Sequence, residues 1–230
     1  MNNKILVLNG PEYDVAVAGL GEITTRVQEF VSDPTSFKLV MFTGGADVSP
    51  EFYGDTSPKN YCNSNYLRDV REIEVFNLAR ANNIKMTGIC RGSQFLNVMC
   101  GGRMMHHVSN HATRVNHKMY TNLPDSPITV NTLHHQMSIL ADSAVLIGWA
   151  DNVSNIYIGR DDEPEEWQAP ETEAFIYPEQ QVAAVQYHPE MMPLSSDGFM
   201  FYYNLVDNLL NLSMDQLVDM YGTKVKEHVS

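Results

Sequence analysis

The chain of 230 residues is 43% hydrophobic and 19% charged, the composition of a globular protein with a real core and not of a disordered or fibrous one. Its formal net charge of −13 repels a phosphate backbone and argues against nucleic acid as a partner. No apolar run approaches the roughly 20 residues of a membrane helix, and the first ten residues lack the apolar core and cleavage site of a signal peptide. The three cysteines, Cys62, Cys90 and Cys100, show no paired spacing, so a reducing, cytoplasmic setting is expected.

In chain order, residues 4–9 read as a buried strand ended by Gly10-Pro11. Residues 22–32 place Ile23, Val27, Phe30 and Val31 on one helical face. A second strand over 38–43 stops at Gly44-Gly45, and a loop with Pro50, Gly54 and Pro58 follows. Residues 67–82 carry a broad apolar stripe among charges and predict a helix. A strand over 84–89 leads to Cys90, and a helix over 91–100 ends at Gly101-Gly102. Further strands are expected at 127–133, 144–149, 154–158, 173–177 and 181–187, with two helices near 198–211 and 214–227. The segment Pro164 to Pro170 looks least ordered. Strands alternating with helices predict one α/β domain over 1–230 with a parallel sheet covered on both faces.

Cys90 stands where a strand becomes a helix. Such an elbow lifts a nucleophile out of the sheet, lets the helix N-terminus favour a thiolate, and leaves first-turn N–H groups free for an oxyanion. Gly88 and Gly92, two residues to either side, suit a turn with little room for side chains. A base is needed as well. Among eight histidines, His188 follows an apolar strand directly, at the edge where open parallel sheets collect their sites. Glu190 then lies in place to orient the imidazole and stabilise its protonated form.

The segments G-I-C-R-G-S-Q (88–94) and V-Q-Y-H-P-E (185–190) resemble the class I glutamine amidotransferase superfamily. Within it, the chain is most similar to the peptidase C26 branch, which includes γ-glutamyl-γ-aminobutyrate hydrolase. The likeness rests also on Arg91 after the nucleophile, F-L-N-V-M-C-G-G (95–102), T-G-G-A-D-V-S-P-E-F-Y-G (43–54), L-R-D-V-R-E-I-E (67–74) and V-N-T-L-H-H-Q (130–136). The resemblance implies a flavodoxin-like three-layer sandwich with a central, mostly parallel sheet. It implies a Cys90–His188–Glu190 triad acting through a thioester. It places an oxyanion hole at the N–H of Arg91 and a backbone N–H near Gly45, and a glutamyl-binding role on Gln94, His134, His135 and Gln136. Glutamine or another small γ-glutamyl molecule is the implied substrate, and no cofactor is implied. The segment from Ala150 to Phe175 departs from the family pattern by apparent expansion, on the side where the leaving amine is expected.

The histidines of the Arg103–Lys118 stretch, His106, His107, His111 and His117, match no recognised metal-ligand spacing, so no metal is expected and the stretch reads as a polar loop. Asp161, Asp162, Glu163, Glu165 and Glu166 read as a solvated loop. Cys100 is expected in the core and Cys62 on a surface loop. Three functions follow: an independent γ-glutamyl hydrolase, a glutaminase subunit supplying ammonia to a separate synthetase, or a non-catalytic binding module on the same fold. The presence of all three triad residues disfavours the last.

Overall fold

The structure is a computed structural model that describes residues 3–55, 60–113 and 115–222. Its strands are β1 (Lys4–Val7), β2 (Glu22–Thr24), β3 (Phe37–Phe42), β4 (Lys85–Ile89), β5 (Arg103–Met105), β6 (His107–Val108), β7 (His117–Thr121), β8 (Ile128–Val130), β9 (Met137–Ile139), β10 (Val145–Ala150), β11 (Tyr157–Ile158), β12 (Glu171–Tyr177) and β13 (Val182–Val185). The helices are α1 (Val27–Ser32), α2 (Tyr66–Ala81), α3 (Arg91–Met99), α4 (Asp197–Asn211) and α5 (Met214–Tyr221). None of the described helices is long and apolar enough to cross a membrane.

The main sheet has the order β2-β1-β3-β4-β13-β12-β10-β7-β8. From β2 to β13 every pairing is parallel, and from β13 to β8 every pairing is antiparallel. Alternation along the central strands decides which layer each side chain joins. Ile5, Val7, Leu39, Met41 and Val185 face Tyr202, Leu205 and Leu209 of α4 and Leu217 of α5. Leu6, Val40, Phe42 and Ala184 face Val75, Phe76 and Ala79 of α2 and Phe95 and Leu96 of α3. Two apolar faces with a helix layer on each make the three-layer α/β sandwich.

The expected helix over 22–32 is divided in two. Glu22–Thr24 pair with β1 as a parallel edge strand, and only Val27–Ser32 are helical. β-branched Ile23 and Thr24 suit the strand, and sheet pairing outweighs the helical periodicity. β5, β6, β7 and β9 were not anticipated. The expected helix over 214–227 ends at Tyr221, with Gly222 as its extended C-cap; residues 223–227 lie outside the described residues, as does Pro58. The 164–170 segment is tied in by an antiparallel bridge between Ile158 and Pro164.

Candidate active site

β1, β3, β4 and β13 run parallel, so the residues following them share one edge of the sheet. Thr43–Gly45, Cys90 and His188 therefore meet there from distant parts of the chain. Cys90 has φ 53° and ψ −113° at the N-cap of α3, in the left-handed region that a non-glycine residue enters only under constraint. The constraint is supplied from both sides. Cys90 N–H donates to Val185 O at 3.0 Å, and Cys90 O accepts from Ser93 N at 3.0 Å, Gln94 N at 3.1 Å and Ser93 Oγ at 2.7 Å. A Cβ on Gly88 would lie 2.6 Å from the Gly92 carbonyl carbon, and one on Gly92 would strike the Phe42 carbonyl. The two glycines let α3 press onto β3 and β4. At the head of α3 the N–H of Arg91 precedes the first of the helix's own bonds and has no intrahelical acceptor.

The Cys90 side chain lies within hydrogen-bonding reach of His188, whose Nδ1 is 2.6 Å from Glu190 Oε1. Burial works against a charge on His188. The bonds to Cys90 and Glu190 outweigh it and raise its pKa to about 10. Asn131 grips the backbone of His188 from the side: His188 N–H donates to Asn131 Oδ1 at 2.8 Å, and Asn131 Nδ2 donates to His188 O at 2.8 Å. Tyr13 closes another wall. A Cβ on Gly44 would lie 2.5 Å from its hydroxyl and 3.1 Å from His188 Cε1, and burial, then the charges of Glu190 and Cys90, raise the phenol pKa.

Arg68 sets the 43–45 turn by donating to Gly44 O and Thr43 O, each at 2.9 Å. In a trans peptide the N–H points opposite to the C=O, so the grip on Gly44 O turns the Gly45 N–H away from Arg68. Gly45 itself has φ 136°, which glycine alone adopts easily.

Behind Cys90 lies a buried ion network. The Arg91 guanidinium pairs with Asp69 and Glu72 of α2, and Ser49 Oγ donates to Asp69 at 2.5 Å. Arg68 Nε and Asn9 Nδ2 each donate to Glu72 Oε1 at 2.7 Å. Asn9, after β1, thus helps to brace the site. The Arg-Asp-x-x-Glu pattern was visible in the sequence; its partnership with Arg91 was not. Arg68, Asn131 and Tyr13 were missed as well, the first two although they lie inside motifs that carry the family resemblance.

Of the four residues expected to hold a glutamyl group, His135 alone has an appreciably exposed side chain, 37%, and its Nε2 lies 3.2 Å from Asp47 Oδ1. Gln94 turns inward, its Nε2 donating to Gln136 O and Gln186 Oε1, both at 3.2 Å. Gln136 is buried, with Nε2 donating to Tyr61 O at 3.4 Å. His134 is buried and directed toward Glu173. The expected polar histidine loop is also corrected. His106 and His111 are buried because acids receive them: His106 lies against Asp55 and Asp162 and His111 against Glu171.

The remaining thiols differ from Cys90 in setting. Burial, then the charge of Asp47, pushes Cys62 up to about 12, and burial pushes Cys100 up to about 12, which keeps both protonated and poorly nucleophilic. Both are half-buried, between the surface and core positions expected of them. The acidic residues 161–166 are mostly exposed. Arg160 Nη2 donates to Gly54 O at 2.9 Å and Asp162 Oδ2 accepts from Asn60 Nδ2 at 3.1 Å, so this segment lies against the loop that follows the 43–54 motif.

The profile of the family described as Peptidase C26 matches residues 34–156. The glutamine amidotransferase-like protein YvdE of Lactococcus lactis subsp. lactis is 28% identical over 169 residues, 66% of this chain and 65% of that protein. The chain thus spans just under two thirds of the length of that curated relative. Among solved structures, a candidate component of a GMP synthase from Thermoplasma acidophilum aligns over 92% of this chain and 95% of its own, with TM-score 0.58 and 17% identity. A glutamine amidotransferase from Thermotoga maritima aligns over 96% and 90%, with TM-score 0.51 and 14% identity. These two likenesses are ones of fold.

Proposed function

Because the chain belongs to the peptidase C26 family, within the class I glutamine amidotransferase-like superfamily, we propose that it is a cysteine amidohydrolase cleaving a γ-glutamyl amide bond, with residues 1–230 acting as one catalytic domain. The observation that carries this reading is the strained Cys90 elbow beside an imidazole whose far nitrogen is held by Glu190 at 2.6 Å.

At neutral pH His188 is the protonated partner of the pair, its Nε2 holding the proton of Cys90 while Nδ1 is occupied by Glu190. Sγ attacks the γ-carbonyl carbon, and the negative charge on the carbonyl oxygen is received by the N–H groups of Arg91 and Gly45. Collapse breaks the C–N bond, and His188 returns the proton to the departing amine. The same imidazole then deprotonates water, which attacks the thioester carbonyl. Glutamate leaves, and the proton taken from water stays on His188, which restores the starting pair. Each step leaves atoms and charge balanced without a cofactor. His135 and Asp47, at the open side, are placed to meet the α-amino or α-carboxylate end of the substrate; Gln94, His134 and Gln136 support that wall from inside. The leaving amine faces the segment from Ala150 to Phe175.

A second reading is a glutaminase that supplies ammonia to a separate synthetase, in line with the amidotransferase-like name of the Lactococcus relative. Glutamate release from glutamine and from several γ-glutamyl amines, assayed without any added protein, separates the two. Hydrolysis of γ-glutamyl amines at least tenfold faster than of glutamine is expected. Inactivity on every amine, with glutamine hydrolysis only when a synthetase is supplied, favours the second reading. Cys90→Ala should lower either activity by roughly three orders of magnitude or more while leaving the circular dichroism spectrum unchanged; an active variant overturns both.

A further inference from the structure

The sequence offers no local metal motif, yet folding brings histidines from three separate segments to one acid. His111 follows β6, His117 opens β7, His134 follows β8, and all three approach Glu173 of β12. The acid and two of the histidines are almost wholly buried: Glu173 is 0% exposed, His111 1% and His134 4%. Glu173 Oε1 lies 2.9 Å from His117 Nε2, 3.8 Å from His111 Nδ1 and 3.9 Å from His134 Nε2. The ligand atoms of His111, His134 and Glu173 all fall within 4.8 Å of one another. In a tetrahedral zinc shell with bonds of about 2.0–2.1 Å, ligand atoms stand roughly 3.3 Å apart, so the two distances from Glu173 to His111 and His134 close by about half an ångström and the widest separation by up to about 1.5 Å.

The outer hydrogen bonds set the tautomers that coordination requires. His134 Nδ1 faces Gln136 O at 2.9 Å, and a carbonyl accepts only, so the proton sits on Nδ1 and the lone pair of Nε2 points into the cluster. His111 Nε2 faces Glu171 Oε2 at 3.0 Å. The other oxygen of Glu171 already accepts from Tyr157 Oη at 2.6 Å and Ser154 N at 2.8 Å, so Glu171 is an ionised acceptor and His111 donates from Nε2. Coordination then uses Nδ1 of His111. Thr132 Oγ1, 3.1 Å from that nitrogen, donates its own proton to His111 O at 2.5 Å and so faces Nδ1 as an acceptor, and an ion bound at Nδ1 displaces this contact. Carbonyl and carboxylate partners behind imidazoles are what metal sites use to orient their ligands. Inside the cluster, His134 Nε2 and Glu173 Oε2 are buried without a hydrogen-bond partner, and a buried polar atom left without one is costly.

We propose that His111 Nδ1, His134 Nε2 and the Glu173 carboxylate bind one divalent transition-metal ion of the zinc type, with His117 completing the shell. Imidazole and carboxylate ligands in a closed, buried setting suit zinc in a structural role. The ion ties β7 and β12 to the loops after β6 and β8, and takes no part in the chemistry at Cys90.

The full-length protein, stripped by dialysis against a chelator, is titrated with Co(II) and Zn(II), and its metal content is measured after gel filtration. One equivalent is expected, with the visible absorption of tetrahedral Co(II) and no thiolate charge-transfer band. Cys90→Ser should keep the ion, whereas Glu173→Gln and His134→Gln should each weaken binding at least about tenfold. Failure to take up one equivalent overturns the proposal. So does a thiolate band that vanishes in Cys90→Ser, or undiminished binding by both ligand variants. Should the ligand variants fail to fold, the Co(II) spectra of the wild type and Cys90→Ser decide alone. A cluster neutralised by protons instead of a metal would show the first of the overturning results.

Discussion

At Cys90 the backbone is constrained as well as the thiol. Its left-handed conformation is held by Val185 on one side and by the first turn of α3 on the other, and strain of this kind persists only where surroundings over-determine it. The partner imidazole carries the pH consequence. Since the pKa of His188 is raised to about 10 from an ordinary value near 6.5, its charged form persists across neutral pH and is lost as pH climbs through 10. The stability this contributes is complete below about pH 6.5 and declines between there and 10. The alkaline limb of kcat/KM, which reports the free enzyme, is expected near pH 10. Glu190→Gln removes one of the groups that raise the pKa, so that limb should move to lower pH; a limb that stays in place in the variant contradicts the assignment of Glu190.

At the scale of elements, α2 and α3 are joined by ions as much as by apolar packing. Arg91 is 1% exposed, and replacing it with Met leaves Asp69 and Glu72 buried with less compensation. Loss of one member of such a set costs about 3–5 kcal/mol. Urea unfolding of Arg91→Met should therefore show a much lower midpoint at an unchanged slope; a loss below about 1 kcal/mol would mean that Arg68 and Ser49 suffice. Which elements could be read from the chain follows from how local their signals are. The strand, glycine and helix around Cys90 occupy consecutive residues, and His188 and Glu190 are two apart, so the residues that meet were visible before their meeting was. β2 was misread because three residues carry too little period to outvote a helical coincidence. β7 was missed because His117, Lys118 and Thr121 look polar in isolation, while Glu173 and neighbouring strands supply their partners. The convergence of His111, His117 and His134 on Glu173 spans four segments, and no spacing rule reaches that far.

Across the whole molecule, the sheet changes character at β13, where parallel pairing on one side meets antiparallel pairing on the other. β4 lies between β3 and β13 with a helix layer on each face, whereas β2 and β8 are edges. Amide exchange should follow this plan. Protons of β3, β4 and β13 are expected to exchange only by global unfolding, and those of β2 and β8 by local opening, many times faster. Uniform protection across the sheet would contradict it. The antiparallel half is nonetheless tied to the site by Asn131, which leaves the outermost strand β8 and holds both backbone groups of His188. The β7–β8 hairpin is therefore a handle on His188, the base of the proposed mechanism: whatever bends that outer ribbon tilts the imidazole, so a clamp fastened there would act as a brake on the proposed turnover while leaving the mouth of the site uncovered.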